Sequence, residues 1–211
     1  MSDPVHTPPM VAGDLSTPPR RAVWPVVIGV IAMVFGALGM LQSLGGLVLP
    51  LIIPMMDRMA AQMPAGKGPA INPFAAMREF LWVMVGGYVV LAILAVALLV
   101  LGIGLVRRNP WGASGMRVWG VCGIVGAIGL GAMWGFIEGT MINEMTRAAI
   151  ASAPAGSRPA APPPELGTVM GIIMGVIVAI VLAILPTFMT IWFSLGGVRA
   201  EVATWRSRAT A

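Results

Sequence analysis

An acidic residue, Glu138, ends a run of 20 uncharged residues that begins after Arg117. Carboxylates beside or within such runs hold protons or cations in membrane transport proteins. When the chain is aligned with itself, Glu138 falls opposite Ser43, with Gln42 beside it. We therefore take Gln42, Ser43 and Glu138 as a candidate polar site at one membrane depth. The alternative, which we favour, is that Glu138 only marks the end of a helix.

Methionine offers a second chemistry, since the chain contains 17 of these residues. Met55, Met59 and Met63 are spaced four residues apart, which places their thioethers on one face of a helix. Thioethers are soft ligands for Cu(I). No cysteine or histidine accompanies them in the sequence, and methionines also suit an amphipathic helix at a membrane surface. Copper binding is therefore the less favoured alternative, and we expect no metal or other cofactor.

Sequence signatures of catalysis are missing. The chain contains no G-x-S-x-G, no G-x-x-x-x-G-K-[ST] and no H-E-x-x-H. Its single cysteine excludes an intrachain disulfide, and its single histidine leaves no pair for the usual zinc sites. We therefore expect a protein that is not an enzyme. The net charge of +5 reflects scarce acidic residues rather than a dense basic surface, so nucleic acid is not an expected partner.

The elements that carry these residues follow from the composition. The chain is 58% hydrophobic and 10% charged, with a mean hydropathy of +0.91, whereas an average soluble domain is about 45–50% apolar and about 25% charged. Four runs between charged residues exceed or match the roughly 20 residues that a helix needs to cross a bilayer. The sequence therefore predicts an all-α integral membrane protein, a four-helix bundle with four transmembrane spans, whose first partner is the lipid bilayer.

The spans are placed within these runs. We predict a membrane domain over residues 23–198, with spans at about 23–48, 80–106, 115–142 and 167–197 and outer loops at 49–79 and 143–166. Pro50 and Pro54 lack backbone donors, so we end the first span before them, and Pro186 predicts a bend within the fourth.

The two ends of the chain are expected to lie outside the membrane. Residues 1–22 are rich in proline and are expected to be a disordered tail, and residues 199–211 form a second tail.

Basic residues predict the orientation, because loops rich in arginine and lysine stay in the cytoplasm. Eight arginines fall on the side that both termini share, and five basic residues fall on the other side. The eight are Arg20, Arg21, Arg107, Arg108, Arg117, Arg199, Arg206 and Arg208; the five are Arg58, Lys67, Arg78, Arg147 and Arg158. We predict a cell (inner) membrane protein with both termini cytoplasmic. Its arginine- and alanine-rich composition suggests a bacterial source.

Small residues line the third and fourth spans at four-residue intervals. The third-span stripe is Gly123, Ala127, Gly131, Gly135 and Gly139, and the fourth-span stripe is Gly167, Gly171, Gly175, Ala179 and Ala183. Helices in lipid associate through such residues because these let the backbones approach closely. Consecutive antiparallel spans would bring the stripes face to face. Alternatively, one stripe mediates contact with a second copy or another membrane protein. We expect Leu98→Ala, on the second span, to be mild by comparison with Gly131→Leu.

A weak internal match raises the prospect of two parallel two-span repeats. At an offset of 95 residues, Val23-Trp24 aligns with Val118-Trp119 and Gly36-Ala37 with Gly131-Ala132; at an offset of 92, Gly104 aligns with Gly196 and Val106-Arg107 with Val198-Arg199. Chance matching among valine, glycine and alanine is the other interpretation, and both stay open.

Six of the seven tryptophans lie at or near predicted span ends, which is typical of side chains that set depth at the membrane surface. Polar residues are scarce in the middle of the spans. This favours a non-enzymatic scaffold or sensor. The alternatives are a small transporter or channel that uses Glu138, and a Cu(I)-binding protein that uses the methionines.

Overall fold

The computed structural model describes residues 22–62, 77–152 and 165–209. The helices there are α1 (Trp24–Leu47), α2 (Leu49–Gln62), α3 (Leu81–Val106), α4 (Pro110–Ser152), α5 (Leu166–Trp192) and α6 (Gly196–Ala209). Four stretches are long and apolar enough to cross a membrane, and they are Trp24–Met56, Leu81–Val106, Pro110–Ala151 and Leu166–Trp192. The predicted all-α fold with four candidate spans is confirmed. These helices are consistent with a multi-pass membrane protein that contacts lipid.

The bundle consists of two helical hairpins. Helix α1 packs mainly on α3, and α4 packs mainly on α5. Helices α3 and α4 contact each other and so join the two hairpins, while α6 contacts α4. The buried core lies at the end of the bundle where α3 ends and α4 begins, around Leu105, Met116 and Phe193.

Glycines bring α1 and α3 into backbone contact, which we call the α1–α3 seam. A methyl group on Gly36 would lie 2.9 Å from the carbonyl oxygen of Ala95, and one on Gly29 would lie 2.8 Å from that of Gly102. The small residues of α1 alternate in spacing between three and four residues, as in the heptads of coiled coils. They are Gly29, Ala32, Gly36, Gly39, Ser43 and Gly46. This stripe was not predicted, because a search for strict four-residue spacing passes over it.

A turn of three residues, 107–109, connects the hairpins. Arg108 has a φ of 55°, the left-handed conformation that ends many helices. The Asn109 N–H donates to the Gly104 carbonyl at 2.8 Å and closes the end of α3. The Arg108 side chain donates to the Ala22 carbonyl at 2.8 Å, which ties the start of the first hairpin to this turn.

Helix α4 is longer than the span predicted within it, because its 43 residues continue to Ser152. Residues 143–152, which were predicted to belong to an outer loop, contain good helix formers, and Arg147 pairs with Glu144 at 3.3 Å one turn away. No proline interrupts this segment until Pro154. The helix therefore runs beyond its apolar part.

Prolines interrupt the helices less than the sequence suggests. Pro50 lies in the first turn of α2, where a backbone N–H has no helical partner to lose. Pro54 lies inside α2, and α5 continues through Pro186; a bend at Pro186 stays a prediction. Residues 1–21, which make up most of the tail that was expected to be disordered, lie outside the described residues, and so does Met63.

The packing of the hairpins does not follow the predicted repeat. Gly36 lies against Ala95, and the two offsets map this pair onto Gly131 and Thr187. Gly131 instead lies against Gly175, twelve residues before Thr187. The contact registers of the hairpins therefore differ by about three helical turns, which favours chance matching.

Candidate functional site

The three polar candidates lie on α1 and α4. Ser43 is 1% exposed and its hydroxyl donates to the Gly39 carbonyl at 2.7 Å, within its own helix. Gln42 is exposed and Glu138 is half-buried. Among the described residues, no hydrogen bond or ion pair links Glu138 to Gln42 or Ser43. The polar site stays a prediction, and the Ser43 hydroxyl donates its hydrogen bond within α1.

Two of the candidate methionines, Met55 and Met59, lie on α2. Met55, Met56 and Met59 are exposed there. Within the described part of the chain, no three His, Cys, Asp or Glu side chains are grouped so that they could hold a metal ion. Copper binding by thioethers stays an untested alternative.

The structure brings the third-span and fourth-span stripes together on α4 and α5. A methyl group on Gly131 would lie 2.5 Å from the Gly175 carbonyl oxygen and 2.6 Å from Cβ of Ala179. One on Gly135 would lie 2.5 Å from the Gly171 carbonyl oxygen. The two backbones are therefore in direct contact, and we call this contact the α4–α5 seam.

The seam continues along the stripes and beyond them. At one end Gly139 lies against Gly167, and at the other Gly123 lies against the ring of Pro186, which is outside the stripes. A methyl group on Gly120, which was not among the predicted stripe residues, would lie 2.9 Å from the Pro186 carbonyl oxygen. From Gly120 to Gly139 a helix rises about 28 Å, close to the roughly 30 Å of bilayer hydrocarbon. The remaining stripe members, Ala127, Ala179 and Ala183, are buried or half-buried.

An apolar furrow follows the outside of the α4–α5 seam, because the glycines there present no side chains. Its volume is about 540 Å³. Ile128, Phe136 and Ile172 are among its apolar walls, and the polar groups of Thr140 and Asn143 lie among its lining residues.

An aromatic cluster, formed by Trp24, Trp192, Phe193 and Trp205, joins the start of α1 to α5 and α6. The Trp24 ring stacks on Trp205 with centroids 5.7 Å apart, and meets Phe193 and Trp192 edge-on at 5.9 Å and 6.3 Å. The Trp24 indole N–H donates to a Glu201 carboxylate oxygen at 2.8 Å. Besides the depth-setting role expected for tryptophans near span ends, which stays a prediction, Trp24 and Trp205 pack on each other.

Helix α6 is held by this cluster. Val198 and Trp205 are seven residues apart, on one face of α6, and both are buried. The segment that was predicted to be a tail from residue 199 onward is thus a helix as far as Ala209, and Val198 and Trp205 dock it on the bundle. Its partner Trp24 is remote in sequence, so no local sequence pattern predicts the contact between Trp24 and Trp205.

Two arginines lie beside the cluster, where α4 faces α6. The Arg117 Nε–H donates to the Phe193 carbonyl at the end of α5, at 2.6 Å. A cation there is favoured by the negative end of the helix dipole. Arg117 and Arg199 line one cavity of about 200 Å³, together with Ser114.

No family model, curated protein or solved structure matches the chain.

Proposed function

We propose that the protein is a non-enzymatic membrane scaffold or sensor whose spans hold α6 as an interaction surface. One observation carries this proposal: Trp24, at the start of α1, stacks on Trp205 and donates to Glu201. These contacts couple the position of α6 to the packing of the spans. A change within the bundle would therefore change what α6 presents to another membrane protein or to a second copy.

Backbone contact at the two seams supports a scaffold rather than a transporter. At Gly36 and at Gly131 the facing helices leave no room even for a methyl group. Transport paths are lined by polar groups or carbonyls that replace water around the substrate. Here Ser43 uses its hydroxyl inside α1, and Glu138 has no polar partner among the described residues.

Reconstitution into liposomes tests this proposal. We expect the parent protein to give the same proton and cation flux as protein-free liposomes, and Glu138→Gln to change nothing. A photo-crosslinking residue at exposed Ala200, on α6, should capture a membrane protein in native membranes, and Trp205→Ala should abolish that capture. A flux that disappears in Glu138→Gln would support the transporter, and one Cu(I) per chain, lost when Met55, Met59 and Met63 are changed, would support the copper protein. Either result would contradict the scaffold.

We also propose a bacterial inner membrane as the location, with both termini in the cytoplasm. The basic side chains of Arg107, Arg108, Arg117 and Arg199 lie at the end of the bundle that carries the aromatic cluster, and the positive-inside rule places that end in the cytoplasm.

Single cysteines check this orientation. In a Cys122→Ala background, cysteines replacing Ala70 or Ser157 should react with a membrane-impermeant thiol reagent in intact cells, and a cysteine replacing Ser16 should react only after lysis. If only the cysteine at position 16 were labelled in intact cells, the proposed orientation would be contradicted, and both termini would lie outside the cytoplasm.

A further inference from the structure

The cavity between the first part of α4 and α6 has an unusual charge pattern. Its lining residues are Ala113, Ser114, Arg117, Arg199, Val202 and Ala203. Two of these six side chains are cationic and none is acidic. Glu201, the acidic neighbour on α6, accepts the Trp24 indole N–H and does not line the cavity.

The two guanidinium groups retain free donors. Arg117 uses its Nε–H on the Phe193 carbonyl, which leaves the other N–H groups of its guanidinium available. The side chain of Arg199 makes no hydrogen bond or ion pair with any described residue. The two cations are close enough for their charges to repel. Solvent weakens this repulsion because Arg199 is exposed, and an anion bound between the two cations would offset what remains.

We propose that this cavity binds a phosphate group between Arg117 and Arg199. A guanidinium presents parallel N–H donors that match the oxygens of a phosphate, and such charge-assisted bonds are stronger than neutral ones. The volume of about 200 Å³ corresponds to roughly six water molecules at ~30 Å³ each, which is sufficient for a phosphate group. The hydroxyl oxygen of Ser114, which donates to the Pro110 carbonyl at 3.1 Å, keeps lone pairs for water that accompanies the anion.

The phosphate can come from an anionic lipid headgroup or from free phosphate in solution. The cavity lies within the first eight residues of α4, from Ala113 to Arg117. Trp111 in the first turn of α4 is exposed, as side chains at a membrane surface are. Basic pockets between membrane helices commonly take lipid phosphates. This inference is independent of the proposed scaffold role.

Calorimetric titration of the full-length protein in neutral detergent tests the site. The probes are short-chain phosphatidylglycerol and, separately, inorganic phosphate. We expect saturable binding with one probe per chain, weakened at least about tenfold in Arg199→Gln, because a charge-assisted contact is lost. Arg107→Gln is the matched control, since Arg107 is an exposed arginine at the same end of the bundle and does not line the cavity. Its affinity should stay within about twofold of the parent's.

The two probes distinguish the sources. Binding of phosphatidylglycerol alone assigns the site to lipid, and binding of inorganic phosphate with the same dependence on Arg199 assigns it to the free anion; both support the proposal. Saturable binding of neither probe would overturn it, as would equal weakening by Arg107→Gln, which would indicate general attraction between charges. Removing one of two repelling cations should leave the empty protein as stable as the parent, so thermal unfolding of Arg199→Gln separates lost binding from lost folding.

Discussion

Gly131→Leu should lower the free energy of unfolding in detergent by about 3 kcal/mol, the upper part of the range for overpacked interiors. The first atom of the new side chain would lie 2.5 Å from the Gly175 carbonyl oxygen and 2.6 Å from Cβ of Ala179. Neither is the far end of a flexible side chain, so α4 and α5 must separate. Unfolding followed by circular dichroism along a denaturant series measures the change.

Gly129→Leu is the matched control for this substitution. Gly129 lies two residues away on the same helix, and a methyl group there would meet nothing within 4 Å. We expect its free energy of unfolding to be no lower than the parent's, because replacing a glycine inside a helix favours the helix by about 0.5–1 kcal/mol. If Gly131→Leu were as stable as Gly129→Leu, the α4–α5 seam would not hold the second hairpin together.

Leu98→Ala does not serve as the mild reference that the sequence suggests. Leu98 is 3% exposed and belongs to the buried core between α1 and α4. Truncating a buried leucine leaves a cavity that typically costs about 2–5 kcal/mol. The sequence did not indicate the burial of Leu98, because α3 is apolar all round and its sequence does not distinguish the buried face from the lipid face.

Trp205→Ala should release α6 from the bundle. Trp205 is 4% exposed and stacks on Trp24, and replacing a buried tryptophan by alanine costs about 3–5 kcal/mol. Because α6 lies after the last candidate span, this cost should fall mainly on the docking of α6. Trypsin cleavage after Arg199 should then accelerate at least about a hundredfold, since each 1.4 kcal/mol changes the open population about tenfold.

The control for Trp205→Ala is Trp82→Ala, because Trp82 is 75% exposed on α3. Its cleavage rate should match that of the parent. An unchanged rate in Trp205→Ala, with the parent helix already cleaved rapidly, would indicate that α6 is not docked and would remove the support for the scaffold proposal.

The four spans could be predicted because a long run without charges is sufficient evidence for a helix in lipid. The α4–α5 seam could also be predicted from the sequence, since the four-residue spacing of small residues is visible within each helix. The α1–α3 seam was missed because its spacing alternates between three and four. In both hairpins, local sequence identifies the small residues, and only the structure identifies which atoms they meet.

The candidate sites depend on contacts between distant segments, so the sequence could not reveal them. Arg117 and Arg199 appear in the sequence only as markers of orientation, and they share a cavity because α6, which follows the end of α5 at Trp192, packs on α4. Docking of α6 needs Trp24, which the sequence presents as one more tryptophan near a span end. The pairing of Ser43 with Glu138 came from a repeat alignment that the packing does not follow.

The hydrogen bond between Trp24 and Glu201 joins residues 177 positions apart in the chain. Contacts with so large a sequence separation form late, because closing the loop costs entropy that shorter-range contacts have not yet offset. Both hairpins can pair as soon as their own spans emerge, since their contacts are local and chains fold from the N-terminal end during synthesis. Trp24 can meet Trp192 and Phe193 once α5 is complete, but its stack on Trp205 and its hydrogen bond to Glu201 form only after α6 has been translated. These two contacts therefore mark the assembled bundle.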